Sequence, residues 1–247
     1  MSGGTKNLLV ELFVEELPPK ALKKLGDAFA DVLAQRLKAD GLADAQAKVT
    51  SFASPRRLAA HVEGVAPRAA DRAISQKLMP VSVALDANGQ PTPALSKKLA
   101  ALGLDASVVP TLKRQPDGKA EALFHDSVVA GATLAEGLQK ALAETLTKLP
   151  IPKVMQYQLA DGWTSVNFVR PAHALVALHG GEVVPVQALG LAAGRTTQGH
   201  RFEAKAAAIE LHDADGYAAQ LRDEGAVLAS FAERRAEIVR QLEAAAA

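Results

Sequence analysis

A stretch near the start of this chain, NLLVELFV (residues 7–14), is followed at once by a proline pair and an amphipathic helix, and it does most to limit the fold. Strand periodicity puts Leu8, Val10, Leu12 and Val14 on one face and Leu9, Glu11, Phe13 and Glu15 on the other. Proline is tolerated in the first helical turn, so Pro18-Pro19 marks a helix start. Leu22, Leu25, Phe29, Val32, Leu33 and Leu37 then recur at three or four residues as one apolar stripe, and Gly41 is the stop. AKVTSFA (47–53) and RRLAAHVEGV (56–65) read as further strands, joined through Ser54-Pro55. Strand, helix, strand, strand predicts an α+β fold, with mixed or antiparallel sheets packed against amphipathic helices, rather than a doubly wound sheet.

Residues 66–93 are less regular, and Asn88-Gly89 flanked by proline marks a turn. A short helix is expected over 93–102 and a strand over 118–129. The stretch from Thr133 to Leu149 is a clear amphipathic helix, with Thr133 as N-cap and Glu136 as its reciprocal partner three residues on. Pro150 and Pro152 suggest a boundary, giving an N-terminal α+β domain over 1–150, with 66–150 as an inserted-subdomain candidate, and a second α+β region over 151–247. In that region TSVNFVRP, ALVALHG and EVVPVQALGL read as short strands, with a hairpin at Gly180-Gly181. From Ala214 onward helices dominate, and the last carries Phe231, Ile238 and Leu242 on one pattern. It runs off the end without a cap or glycine stop, as expected of a piece of a longer protein.

Composition excludes several classes. Hydrophobic residues make up 49% of the 247 but aromatics only 4%, so Ala, Leu and Val must fill the core. There are no cysteines, which removes disulfides, thiolate catalysis and cysteine zinc sites. The formal charge of +1 names no polyanionic partner, so any nucleic-acid contact must come from local clusters. No apolar run is long enough for a bilayer, and the first residues lack the apolar core of a signal peptide. A cytoplasmic protein with no membrane contact is the expectation.

Five stretches carry candidate chemistry. Glu15-Glu16 reads better as negative charge placed before a helix start than as an acid/base pair. Arg56 and Arg57, after a proline turn, suit phosphate, which guanidinium binds bidentately, but also suit solvated surface. Asn167, Arg170 and His173 are candidates to line a polar pocket, without a serine or aspartate at triad spacing. His212-Asp213 resembles a metal-phosphohydrolase dipeptide but has no supporting ligands, so no metal site and no catalytic residue is assigned. Finally, in GRTTQGHRF (194–202), Arg201 suits phosphate, Phe202 suits stacking on an unpaired base, and His200 suits titration near neutral pH. Its alternative is a glycine turn with Phe202 anchoring the core. There is no phosphate-binding loop and no dinucleotide fingerprint.

Taken in order, LLVELFVEELPPKAL (8–22), SPRRLAAHVEGV (54–65), NFVRPAHALVALHGGEVVPVQALG (167–190), TTQGHRF (196–202) and ERRAEI (233–238) resemble the N-terminal part of the bacterial glycyl-tRNA synthetase beta chain. Phe13-Val14 stand where that family usually has Gly-Thr, and Tyr157 replaces its usual tryptophan. The resemblance implies a two-chain class II ligase that joins glycine to its tRNA using ATP and magnesium. The alpha chain would hold the glycine and ATP site, in an alpha2-beta2 assembly. The beta chain would recognise tRNA, with no cofactor of its own, and this portion alone would be inactive. Arg56, Arg57 and Arg201, with His200 and Phe202, become the candidates for tRNA contact. Two other readings stay open: a scaffold that docks other subunits without touching RNA, and a hydrolase of mischarged tRNA built around His173 or His200.

Overall fold

A computed structural model describes residues 4–118 and 120–246. The expectations for the first three residues and for Lys119 therefore lie outside the described residues. The chain forms two compact units. One holds the chain up to Ala69 and again from Ala132, and the other is Ala70–Gly131. The division does not fall at Pro150 and Pro152, because strands on both sides of those prolines pair in one sheet.

The first unit begins with β1 (Lys6–Val14), α1 (Leu22–Ala39), β2 (Val49–Ser54) and β3 (Arg57–Val65). The regular part of α1 starts at Leu22, after a turn in which the Ala21 amide donates to the Pro18 carbonyl. It ends where the stripe predicts. Gly41 takes φ 73°, the Leu42 amide reaches back to Leu37 and the Gly41 amide to Lys38, which satisfies the last carbonyls of the helix.

The second unit contains β4 (Arg72–Pro80), α2 (Val81–Ala84), α3 (Pro93–Ala101), β5 (Lys113–Asp117) and β6 (Ala120–Val129). Its sheet order is β4-β6-β5, antiparallel, over a small core of Leu78, Ala84, Leu95, Leu99 and Leu123. Strands β4 and β5 escape a periodicity reading because nearly every residue in them is solvated. The ladder to β6, not a buried face, holds them.

The chain re-enters the first unit with α4 (Leu134–Lys148). Thr133 and Glu136 form the expected reciprocal cap. There follow β7 (Met155–Gln158), β8 (Ser165–Phe168), β9 (Ala172–His179), β10 (Glu182–Val183), β11 (Gln187–Ala188), β12 (Leu191–Gly194), β13 (Thr196–Gln198), β14 (Ala208–Glu210), α5 (Tyr217–Asp223) and α6 (Phe231–Ala246). β9 and β10 form the hairpin expected at Gly180-Gly181. A seven-stranded sheet runs β11-β12-β9-β1-β3-β2, with β10 also on β9. It is mixed, since β12 runs parallel to β9 while β1 is antiparallel to both its neighbours.

β1 is central, and both its faces are covered. Leu8, Val10, Leu12 and Val14 pack with the α1 stripe and with Leu134, Leu138 and Leu142 of α4. On the other face Leu9 packs with Phe52, Val176 and Leu178 under Ile209, Leu211, Tyr217 and Leu221. Each fully buried Leu or Phe stabilises the fold by roughly 1.5–3 kcal/mol. The second covering layer, residues 208–229, therefore turns every position of β1 from Leu8 to Val14 into core, Glu11 included. The α+β class expected from the sequence is the observed one.

Candidate functional site

Glu11 and Phe13 share the second face of β1 with Leu9. In the β1/β3 register Glu11 sits opposite Ala59 and Phe13 opposite Arg57, so Arg57 is the diagonal neighbour of Glu11. The buried carboxylate accepts from the Thr197 hydroxyl on one oxygen and the Tyr217 hydroxyl on the other. Arg57 Nε lies 3.3 Å from the second oxygen, near enough for an ion pair but not aligned for a hydrogen bond. The Arg57 guanidinium also donates to the Gln198 carbonyl. Four segments distant in sequence thus meet on one buried carboxylate. Burial, followed by the Glu11 charge, pushes the Tyr217 hydroxyl far above its ordinary value of 10.0, so it stays a donor.

This cluster holds β13, and β13 leads directly into Gly199, His200, Arg201 and Phe202. Gly199 packs against Gly225 so closely that an added Cβ would lie 2.7 Å from the Gly225 Cα and 2.5 Å from the Ala204 Cβ. The His200 amide donates to the Gly225 carbonyl at 2.7 Å. His200 Nδ1 accepts from the amides of Phe202 and Glu203, which fixes the turn after it. Phe202 is left 82% exposed, an uncommon state for a large apolar ring on an ordered turn.

The turn forms one wall of a 360 Å³ cavity. Phe13 and the Pro55-Arg56 turn line another side, and Val227, Leu228 and Arg234 a third. Arg56 and Arg57 both lie over the Phe13 ring, at 4.8 and 5.3 Å from its centre. Arg234 donates to the carbonyls of Leu228 and Ala53, and burial lowers its pKa. Among the described residues neither Arg201 nor Arg234 makes an ion pair. The cavity therefore combines apolar lining with four arginines, of which Arg201 and Arg234 make no ion pair among the described residues, and one carboxylate, Glu16.

Arg56, Arg57, Arg201, His200 and Phe202, far apart in sequence, are brought together around this cavity. They are not equally accessible. Arg57 is 2% exposed and committed to Glu11, so the cavity offers Arg201, and beside it Arg56, rather than an arginine pair. Arg56 is itself partly engaged, at 3.4 Å from Glu15 and 3.9 Å from Glu16. His173 Nε2 donates to Glu15 at 2.6 Å. That bond, aided by the charges of Arg56 and Arg201, holds the Glu15 carboxyl below its ordinary range against a smaller cost of burial.

Arg170 braces the same segment by donating to the Glu16 carbonyl. Asn167 lies on the β7–β8 hairpin opposite Gln156 and does not line the cavity. Glu15 and Glu16 do not stand at a helix start, because α1 begins only at Leu22, more than a turn later, and both instead lie within ion-pair reach of Arg56. Asp213 accepts from the Gly216 amide in a turn, and among the described residues no three His, Asp or Glu side chains converge to hold a metal. No helix is long and apolar enough to cross a membrane among those residues.

Glu11, Thr197, Tyr217 and Arg234 complete the site; Glu11, Thr197 and Arg234 lie within stretches that carry the family resemblance, but residue type and spacing assign none of them a role there, and Tyr217 lies in no such stretch. One signal was present: Glu11 is the lone charge within the otherwise apolar run Leu8–Val14, and a buried carboxylate requires partners.

The comparisons with known proteins agree on one family. A family model described as "Glycyl-tRNA synthetase beta subunit" matches residues 8–247. The chain belongs to the glycyl-tRNA synthetase beta-subunit family. It is 76% identical over 98% of its length to the glycine–tRNA ligase beta subunit of Leptothrix cholodnii, covering 34% of that protein. The corresponding subunits of Thiobacillus denitrificans and Dechloromonas aromatica are 70% and 68% identical, each over 98% of this chain and 35% of their own. The chain spans about a third of the length of these beta-subunit relatives.

Proposed function

We propose that this chain is the N-terminal part of a beta subunit that positions tRNA for a two-chain, class II glycine–tRNA ligase. The observation that carries the reading is the cavity at Phe202. It gathers Arg56, Arg201 and Arg234 beside an exposed aromatic ring in a protein whose net charge is only +1. Guanidinium groups bind phosphate oxygens, and aromatic rings stack on unpaired bases. The contribution to catalysis is orientation. Holding the acceptor end near a reactive centre removes translational and rotational freedom that would otherwise raise the barrier. Glycine, ATP and magnesium are assigned to the alpha chain of an alpha2-beta2 assembly in the cytoplasm, and the present chain alone has no aminoacylation activity.

The test is equilibrium binding of glycine tRNA to the ligase assembled from full-length subunits, across a salt series, with Arg201→Ala and Arg56→Ala. Each lost phosphate contact should reduce the slope of log K against log salt by about 1. Unchanged slopes and affinities in both variants would refute tRNA contact here. One observation favours the rival reading as a scaffold: Arg57 is buried and Arg56 is partly neutralised by carboxylates. In that case the same substitutions would weaken assembly with the alpha chain and leave tRNA affinity intact.

A further inference from the structure

A contact surface for an RNA backbone does not require a hole. Phosphates on a duplex are met by exposed cations on a convex or flat face. The site described above is concave, at 360 Å³, within the range of roughly 300–1,000 Å³ typical of pockets for small molecules. Phe13, Pro55, Val227 and Leu228 give it apolar lining, and its arginines and one carboxylate, Glu16, stand beside that surface. Arg201 and Arg234 make no ion pair among the described residues. Phe202 is exposed on a turn that Gly199, Gly225 and the Glu11 cluster hold in place, so the ring is displayed by a rigid support.

We propose that this cavity receives one unstacked nucleotide of the bound tRNA. Its base stacks on Phe202 and enters the apolar interior, and its phosphate is met by Arg201. Arg234, half-buried and bonded to two backbone carbonyls, supplies fixed positive charge from behind. This rests on the reading that the chain contacts tRNA and adds which chemical unit the cavity takes. Two features separate a nucleotide from the apolar side chain of a partner protein. The lining carries Arg56, Arg57, Arg201 and Arg234 against one carboxylate, Glu16, and that excess of positive charge calls for an anion. The flat ring of Phe202, T-shaped to His200 at 6.2 Å, offers a free face for a planar group.

The experiment uses the ligase assembled from full-length subunits, with Phe202→Ala, Phe202→Tyr and Arg201→Ala. The probes are intact glycine tRNA, a single-stranded RNA octamer and an RNA duplex of the same length. Loss of one base–aromatic stack should weaken tRNA binding between about five- and 150-fold. Stacking neutralises no phosphate, so Phe202→Ala should leave the salt slope unchanged, whereas Arg201→Ala should lower it by about 1. Phe202→Tyr should bind as the parent does. The octamer should lose affinity with Phe202→Ala, and the duplex should not.

If Phe202→Ala leaves both tRNA and octamer affinity unchanged while Arg201→Ala still lowers the slope, tRNA contact survives and the nucleotide site is refuted. Where neither variant changes binding and Arg56→Ala also leaves the slope unchanged, the underlying reading fails as well. Should Phe202→Ala instead weaken subunit assembly in sedimentation with tRNA affinity intact, the cavity takes a protein side chain and the proposal is overturned.

Discussion

Removing Arg57 is the sharpest test of how this fold supports its site. Its guanidinium is 2% exposed, pairs with the fully buried Glu11 and donates to the Gln198 carbonyl. Arg57→Met keeps much of the side-chain volume but leaves a buried carboxylate without its cation and a carbonyl without its donor. Breaking a buried pair from one side typically costs about 3–5 kcal/mol. Glu11 retains hydroxyl donors from Thr197 and Tyr217, which places the expected loss near the lower end, at about 3 kcal/mol. For a protein of this size that corresponds to a fall in Tm of roughly 6–12 °C.

Replacing both charged partners with apolar residues is often neutral elsewhere, but here it should not rescue stability. The buried Thr197 and Tyr217 hydroxyls would remain without partners, at about 1–3 kcal/mol each. Thermal unfolding of the wild type, Arg57→Met, Glu11→Leu and the double variant forms a cycle. Coupling energies between contacting residues are typically about 0.5–3 kcal/mol. Additive effects, or single variants within about 0.5 kcal/mol of wild type, would refute the account of this cluster as a buried, mutually dependent network.

Other outcomes follow from named contacts. Gly199→Ala should cost about 1–3 kcal/mol, because its Cβ would meet the backbone of Gly225, while Gly194→Ala, with nothing within 4 Å, should be near neutral when both are compared by denaturant melts. Thr133→Ala removes the reciprocal cap of α4 and should cost about 1 kcal/mol in the same assay. Tyr217 has a folded pKa raised far above 10.0, so its contribution to stability is complete below that pH and is lost as pH rises further, when the unfolded chain alone ionises. Circular dichroism melts above about pH 10 should therefore show a steeper loss for wild type than for Tyr217→Phe. His173→Ala should raise the Glu15 pKa toward the ordinary 4.5, followed by the carboxyl resonance in NMR, since the His173 hydrogen bond is the largest influence lowering it.

Much of the local structure was written in short-range pattern. The α1 stripe, its stop at Gly41, the Thr133–Glu136 cap and the turn at Gly180-Gly181 each depend on residues within a few positions of one another. The family resemblance was legible for the same reason, as ordered motifs along the chain, and the match over residues 8–247 supports it. The solvated strands β4 and β5 were not legible, because hydrogen bonds to β6 define them and leave no hydrophobic period.

The arginines show where sequence reading stops. Arg56 and Arg57 are adjacent, and a reading of types and spacing treats them alike. Neighbouring residues on a strand point to opposite faces, and the turn before β3 sets which of them enters the sheet. Arg57 lands on the face covered by Tyr217 and is buried against Glu11, while Arg56 remains on the turn beside the cavity. Arg234 joins that cavity from a helix far along the chain. The sequence by itself determined those strands, helices and turns that rest on local period and backbone preference, among them β1, α1 and α4. Only the tertiary structure decided which charges are hidden and which stand at the cavity. Burial and pairing are set by the layer that closes over β1, and that layer comes from residues about two hundred positions away.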